Sequence, residues 1–219
     1  MMHVESAPEP ASFNANVRVP GMRAIAELAG KAPVPARRRG KPFAKVADRE
    51  DAVPPHKFPA YWTEALDDLM DGYGQLCAYS CFRIHRVTGA GSVDHFAAKS
   101  KDWKRVYEWL NYRLCCSRLN ARKNAFDDVL DPFDVEDGWF HLELVGFQVI
   151  PAPELPPETL DQVQRTIDRL RLNDFRRGRE EDAERYWAGG FSLGVLKEES
   201  PFVARELHRQ SRLNPGDVW

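Results

Sequence analysis

The stretch VDHFAAKSKDWKRVYEWLNYRLCCSRLNARK, residues 93–123, decides how this chain is read. It places Asp94 and His95 at the end of a β-type run, with Asn111 and Asn120 following and Lys123 three residues past Asn120. Lys99 and Ser100 lie just beyond His95. These residue types suit phosphodiester hydrolysis. A neutral imidazole takes a proton from water near pH 7. A carboxylate and an amide oxygen are hard ligands suited to Mg²⁺, which accepts one or two protein groups and keeps positions open for phosphate. Such a metal polarises the phosphate and stabilises the leaving oxygen. Side chains alternate across a strand, so Asp94 and His95 share a site only if the strand ends or bulges there.

Working outward, the charge pattern sets this block apart. The chain has 219 residues with 31 Lys+Arg and 33 Asp+Glu, a net charge of −2. Residues 94–123 nonetheless carry a net +5, and residues 124–219 a net −9. A basic block beside an acidic remainder suggests a site that faces a polyanion. No run approaches the length of a membrane span, and the first residues lack the basic start and apolar stretch of a leader peptide. A cytoplasmic protein is expected, in which Cys77, Cys81, Cys115 and Cys116 are thiols or metal ligands rather than disulfides.

The expected organisation has three parts. Residues 1–57, rich in Ala and Pro with a run of Arg37, Arg38 and Arg39, are expected to form a loosely ordered arm that docks on the domain or on a partner. Residues 58–150 begin with a helix on which Tyr61, Trp62, Leu66, Leu69, Met70 and Tyr73 recur at spacings of three and four, a core face. Short strands are expected at 81–84, 92–96 and 112–116, a short helix over 119–126, and a hairpin of 139–144 with 147–150. Residues 151–219 are expected to be helical, with helices from Pro157, over 179–188, and from Ser200 and Pro201 to about Leu213. The fold class is α+β, a small mixed centre wrapped in helices.

The pattern Asp94-His95, Asn111, Asn120 and Lys123 resembles the HNH, or ββα-metal, nucleases. Cys77-Ala-Tyr79, Tyr107-Glu108-Trp109, Leu130-Asp131-Pro132, Thr166-Ile167 and Leu170-Arg171-Leu172-Asn173 are similar to one bacterial subgroup, the HNH effector subunits of Septu-type and retron-associated anti-phage systems. The resemblance spans residues 55–185 and implies an HNH core embedded in a mostly helical domain, an endonuclease that cleaves DNA beside an ATPase partner. It implies that His95 is the general base, that Asp94 and Asn120 hold Mg²⁺ or Mn²⁺, and that Asn111 braces the loop between the strands and so orients His95. It further implies that Lys99 and Lys123 face phosphate. Arg113, Arg118 and Arg122 would add salt-dependent phosphate binding.

Many relatives hold a structural zinc with two C-x-x-C pairs. Here Ser80 and Leu119 stand at two of those four positions, and a C-x₃-C followed by adjacent cysteines is poor geometry for a tetrahedral site. No structural zinc is expected, and the thiols pack as small apolar groups. Two other functions fit the same residues: a nucleic-acid-binding subunit that keeps the fold without efficient cleavage, and a subunit whose acidic helical part docks the ATPase.

Overall fold

The segment 91–123 folds as two strands followed by a helix. Strand β1 (Gly91–His95) pairs antiparallel with β2 (Tyr112–Cys116), with Val93 opposite Leu114, Asp94 opposite Arg113 and His95 opposite Tyr112. β2 is buried through its first four residues, which places Tyr112 and Leu114 in the core. Helix α3 (Ser117–Lys123) follows directly, and its first amide donates back to the carbonyl of Ala90, tying the helix to the start of β1. Leu119 is fully buried on the inner face of α3. The expected strand over 81–84 is reduced to a single bridge between Leu76 and Arg83.

A computed structural model describes residues 1–219, and it has a mixed α/β architecture of seven α-helices and two small antiparallel sheets. Residues Tyr61–Ala65 form a 3₁₀ turn leading into α2 (Leu66–Gly72), so the expected leading helix is half 3₁₀. The second sheet is the expected hairpin, β3 (Phe140–Glu143) with β4 (Gln148–Pro151). Helix α4 (Pro157–Leu170) starts on a proline at its first turn and buries Val163, Thr166, Ile167 and Leu170 on one face. α5 (Arg176–Trp187), α6 (Leu193–Glu199) and α7 (Pro201–Arg209) complete the chain. α6 was not expected, and α7 stops at Arg209 rather than at 213.

The arm expected over residues 1–57 is largely a built-in part of the domain. A π-helical turn (Asn14–Arg18) runs into α1 (Val19–Leu28), and Phe13, Val17, Ala24 and Ile25 are buried. Phe13 meets Trp109 and Tyr112 edge to face at 5.5 and 5.6 Å, so the arm covers the outer side of β2. Gly21 permits the close approach: a Cβ there would lie 2.3 Å from the Tyr107 ring. Within residues 1–57 the longest run without helix or strand is 29–49. One hydrophobic core of 41 residues, from Met1 to Leu207, joins all three expected parts into a single unit. No helix is long and apolar enough to cross a membrane.

Candidate active site

The strand–strand–helix unit opens onto a cleft of about 570 Å³, lined among others by Asp94, His95, Lys99, Asn120, Asn124 and Trp62. β1 ends at His95, and this is what allows two adjacent residues to face one cavity. The cleft gathers Asp94, His95, Lys99 and Asn120 from separate places in the sequence.

His95 is buried. Its Nε2 lies 3.0 Å from the carbonyl oxygen of Val106. A carbonyl can only accept, so Nε2 carries the proton and a neutral ring leaves its Nδ1 lone pair free. Burial, then the positive charge of Lys99, lowers the His95 pKa to about 3, so the ring is neutral at physiological pH. Trp62 and Tyr112 clamp the imidazole edge to face, with ring centroids at 4.9 and 5.1 Å.

Asn111 is fully buried in the loop wall behind His95. Its Oδ1 accepts from the amide of Ala97 at 2.8 Å, and its Nδ2 donates to the carbonyls of Ala97 and Arg105. One side chain thereby spans both arms of the loop between β1 and β2. The same loop presents the Val106 carbonyl to His95, so Asn111 acts through that carbonyl on the imidazole.

Asp94 is nearly excluded from solvent. The Tyr79 hydroxyl donates to its Oδ2 at 2.7 Å, and the Lys123 ammonium lies 3.3 Å from its Oδ1. Burial raises the Asp94 pKa, opposed chiefly by the charge of Lys123. Asn120 donates its Nδ2 to the hydroxyl of Ser92 at 3.1 Å and the carbonyl of Val93 at 3.2 Å. That tether leaves Asn120 Oδ1 without a partner inside the chain, on the residue that lines the cleft beside Asp94. No group of three His, Cys, Asp or Glu side chains is arranged to hold a metal ion. A cation here would rest on two protein oxygens and keep water in its other positions, a coordination habit of Mg²⁺.

The basic residues divide sharply. Lys99 lies in the cleft, its Nζ 4.1 Å from the centroid of the Trp62 ring, and desolvation lowers its pKa. Lys123, expected to face phosphate, is instead wholly buried: it donates to the carbonyls of His95 and Phe96, both at 3.0 Å, and pairs with Asp94. Arg113 is likewise internal, bound through two nitrogens to Asp131 at 2.7 and 2.5 Å. Arg122 donates to the last carbonyls of α4 and to Asp174, so it is a helix cap. Arg118 remains more than half exposed, 3.5 Å from Asp174. Exposed positive charge near the cleft comes instead from Lys101, Lys104 and Arg105 on the loop.

The sequence reading missed two site residues. Tyr79 lies in the Cys77-Ala-Tyr tripeptide, and its hydroxyl turns out to hold Asp94. Trp62 fits the helical apolar spacing of a core residue and packs on the core, yet from its 3₁₀ turn it also forms a cleft wall. The four cysteines are free thiols, three of them buried, and the Cys77 sulfur accepts from the amide of Cys116 at 3.4 Å. No protein-family model matches the sequence, and a comparison with curated proteins found no match.

Proposed function

We propose that this chain is a metal-dependent endonuclease of the HNH type that hydrolyses DNA phosphodiester bonds. The observation that carries the reading is one cleft holding an imidazole with a free Nδ1 beside two oxygen donors, Asp94 and Asn120. Asp94 and Asn120 would hold Mg²⁺ or Mn²⁺, which when bound supplies a Lewis acid for the phosphate and the leaving oxygen. His95 takes the proton of the attacking water on Nδ1 while Val106 fixes the ring through Nε2. The intrinsic basicity of His95 is low, but a phosphate in the cleft stabilises the imidazolium and offsets the repulsion from Lys99. Lys99 places its ammonium against the substrate anion, and Asn111 keeps the loop that carries both Lys99 and Val106 in shape.

Supercoiled plasmid incubated with Mg²⁺ or Mn²⁺ tests the reading. Cleavage by the wild-type chain is expected, with His95→Ala slower by roughly 10²–10⁴-fold. Equal cleavage by that variant rules out His95 as the base. The anti-phage role and the ATPase partner rest on the sequence resemblance, and co-purification with a neighbouring-gene ATPase tests them. A second reading, a nucleic-acid-binding subunit with weak cleavage, is favoured by one observation: both oxygens of Asp94 are already engaged by Tyr79 and Lys123. Plasmid binding without metal-stimulated cleavage is its signature.

A further inference from the structure

A second concavity of about 310 Å³ lies beside the cleft, lined by Phe126, Arg165, Asp168, Arg169 and Arg171. The cleft wall ends at Ala125 and this notch begins at Phe126, so the chain passes from one to the other in a single residue step of about 3.8 Å. Phe126 is 40% exposed, although it is a large aromatic, in the turn that follows α3, where its amide donates to the carbonyl of Lys123. The Arg169 guanidinium sits 4.5 Å from its ring centroid. Arg165 and Arg171 flank it with side chains 48% and 66% exposed.

We propose that this notch takes an unpaired nucleotide flanking the scissile phosphate, an inference that rests on the nuclease reading above. A base stacks on the Phe126–Arg169 pair, and the adjoining phosphate meets Arg165 or Arg171. Stacking on aromatic rings and guanidinium planes is how proteins hold unpaired bases, because every base has a π face. A duplex keeps its bases stacked on one another and has none to offer. The arginines are paired with Asp161 at 2.8 Å, Asp128 at 3.0 Å and Asp174 at 3.4 Å. Exposed pairs of this kind contribute about 1 kcal/mol or less, so a phosphate can displace them. The exposed aromatic favours a nucleotide over an acidic peptide, which would need the arginines alone.

The test is fluorescence anisotropy of the full chain with labelled oligothymidine and with a labelled blunt duplex, in EDTA so that nothing is cut. Phe126→Ala and Phe126→Leu are expected to weaken single-strand binding about 5- to 100-fold, and duplex binding less than about twofold. The leucine variant keeps apolar packing and separates loss of stacking from loss of fold. Arg165→Gln is expected to lower the salt slope of single-strand binding by about one. Unchanged single-strand binding by both Phe126 variants overturns the notch, as does an equal loss on duplex or equal competition by polyglutamate. Those outcomes leave the nuclease reading standing if plasmid cleavage persists. Absence of any nucleic-acid binding or cleavage by the wild-type chain overturns both.

Discussion

At the scale of single residues, the site is built from groups that would be unstable alone. His95 is buried and neutral, with its pKa lowered to about 3 from the ordinary 6.5. The unfolded chain therefore binds the proton first, and stability falls as pH drops below about 6.5 toward 3. Between pH 7 and pH 5, where most carboxylates do not yet titrate, this group alone is expected to remove about 2 kcal/mol of unfolding free energy. Urea titrations of the metal-free chain at the two pH values measure it. A His95→Gln variant should lose most of that difference, and an equally steep variant refutes the assignment. Lys123 is the converse case, a charged group held inside by three oxygens. Lys123→Met leaves Asp94 uncompensated and two carbonyls unpaired, with an expected loss of about 3–5 kcal/mol. Adding Asp94→Asn should recover part of it, and a strictly additive double variant would show that the pair is not coupled.

At the scale of elements, the two strands and α3 were legible because their signals are local. A glycine turn, Gly89 and Gly91, opens β1, a short apolar run with Tyr112 and Leu114 forms β2, and mostly helix formers follow Cys116. The ends were less legible, since they depend on contacts from elsewhere. α3 stops at Lys123 because that side chain is drawn beneath β1, and the next residue, Asn124, takes φ 44° and ψ −122°. That backbone region favours glycine and costs an L-residue of the order of 1–3 kcal/mol. Asn124 also lines the cleft, so the strain sits where substrate would lie. Asn124→Gly is expected to raise stability by about 1 kcal/mol in urea titration, less than the full strain because glycine gains freedom when unfolded. A variant no more stable than wild type would show that Asn124 is not strained there. Trp62 shows the opposite limit. Its spacing reads as core, and it does pack on the core, but it also walls the cleft against His95, a second contact that local spacing does not announce.

At the scale of the whole molecule, several residues that carry the subgroup resemblance tie distant segments together: one of them holds β2, and the others join the loop after α3 and the second hairpin to the helical part. Asp131 grips Arg113 of β2, Thr166 of α4 accepts from the amide of Leu130, and Asn173 bonds both backbone groups of Val149 in β4. Their spacing in sequence gives no hint of this, since each partner lies 18 to 36 residues away. The first 57 residues were the least legible part for the same reason: Phe13 and Val17 look like isolated apolar residues in an Ala- and Pro-rich run, yet both are buried, Phe13 against Trp109 and Tyr112. Because the core is continuous, the chain should unfold as one unit, and the first segment should stay bound after the chain is cut. Arg38 and Arg39 are exposed in the irregular stretch and are the expected sites of limited trypsin cleavage. After such a cut the N-terminal fragment should co-elute with the remainder on gel filtration, held by Phe13, Val17 and Ile25. Phe13→Ala, which opens a cavity against Trp109 and Tyr112, should lower stability by about 3–5 kcal/mol and release the cut fragment. Release of the fragment from the wild-type chain would mean that the arm is separable and that β2 is covered by something weaker than a shared core.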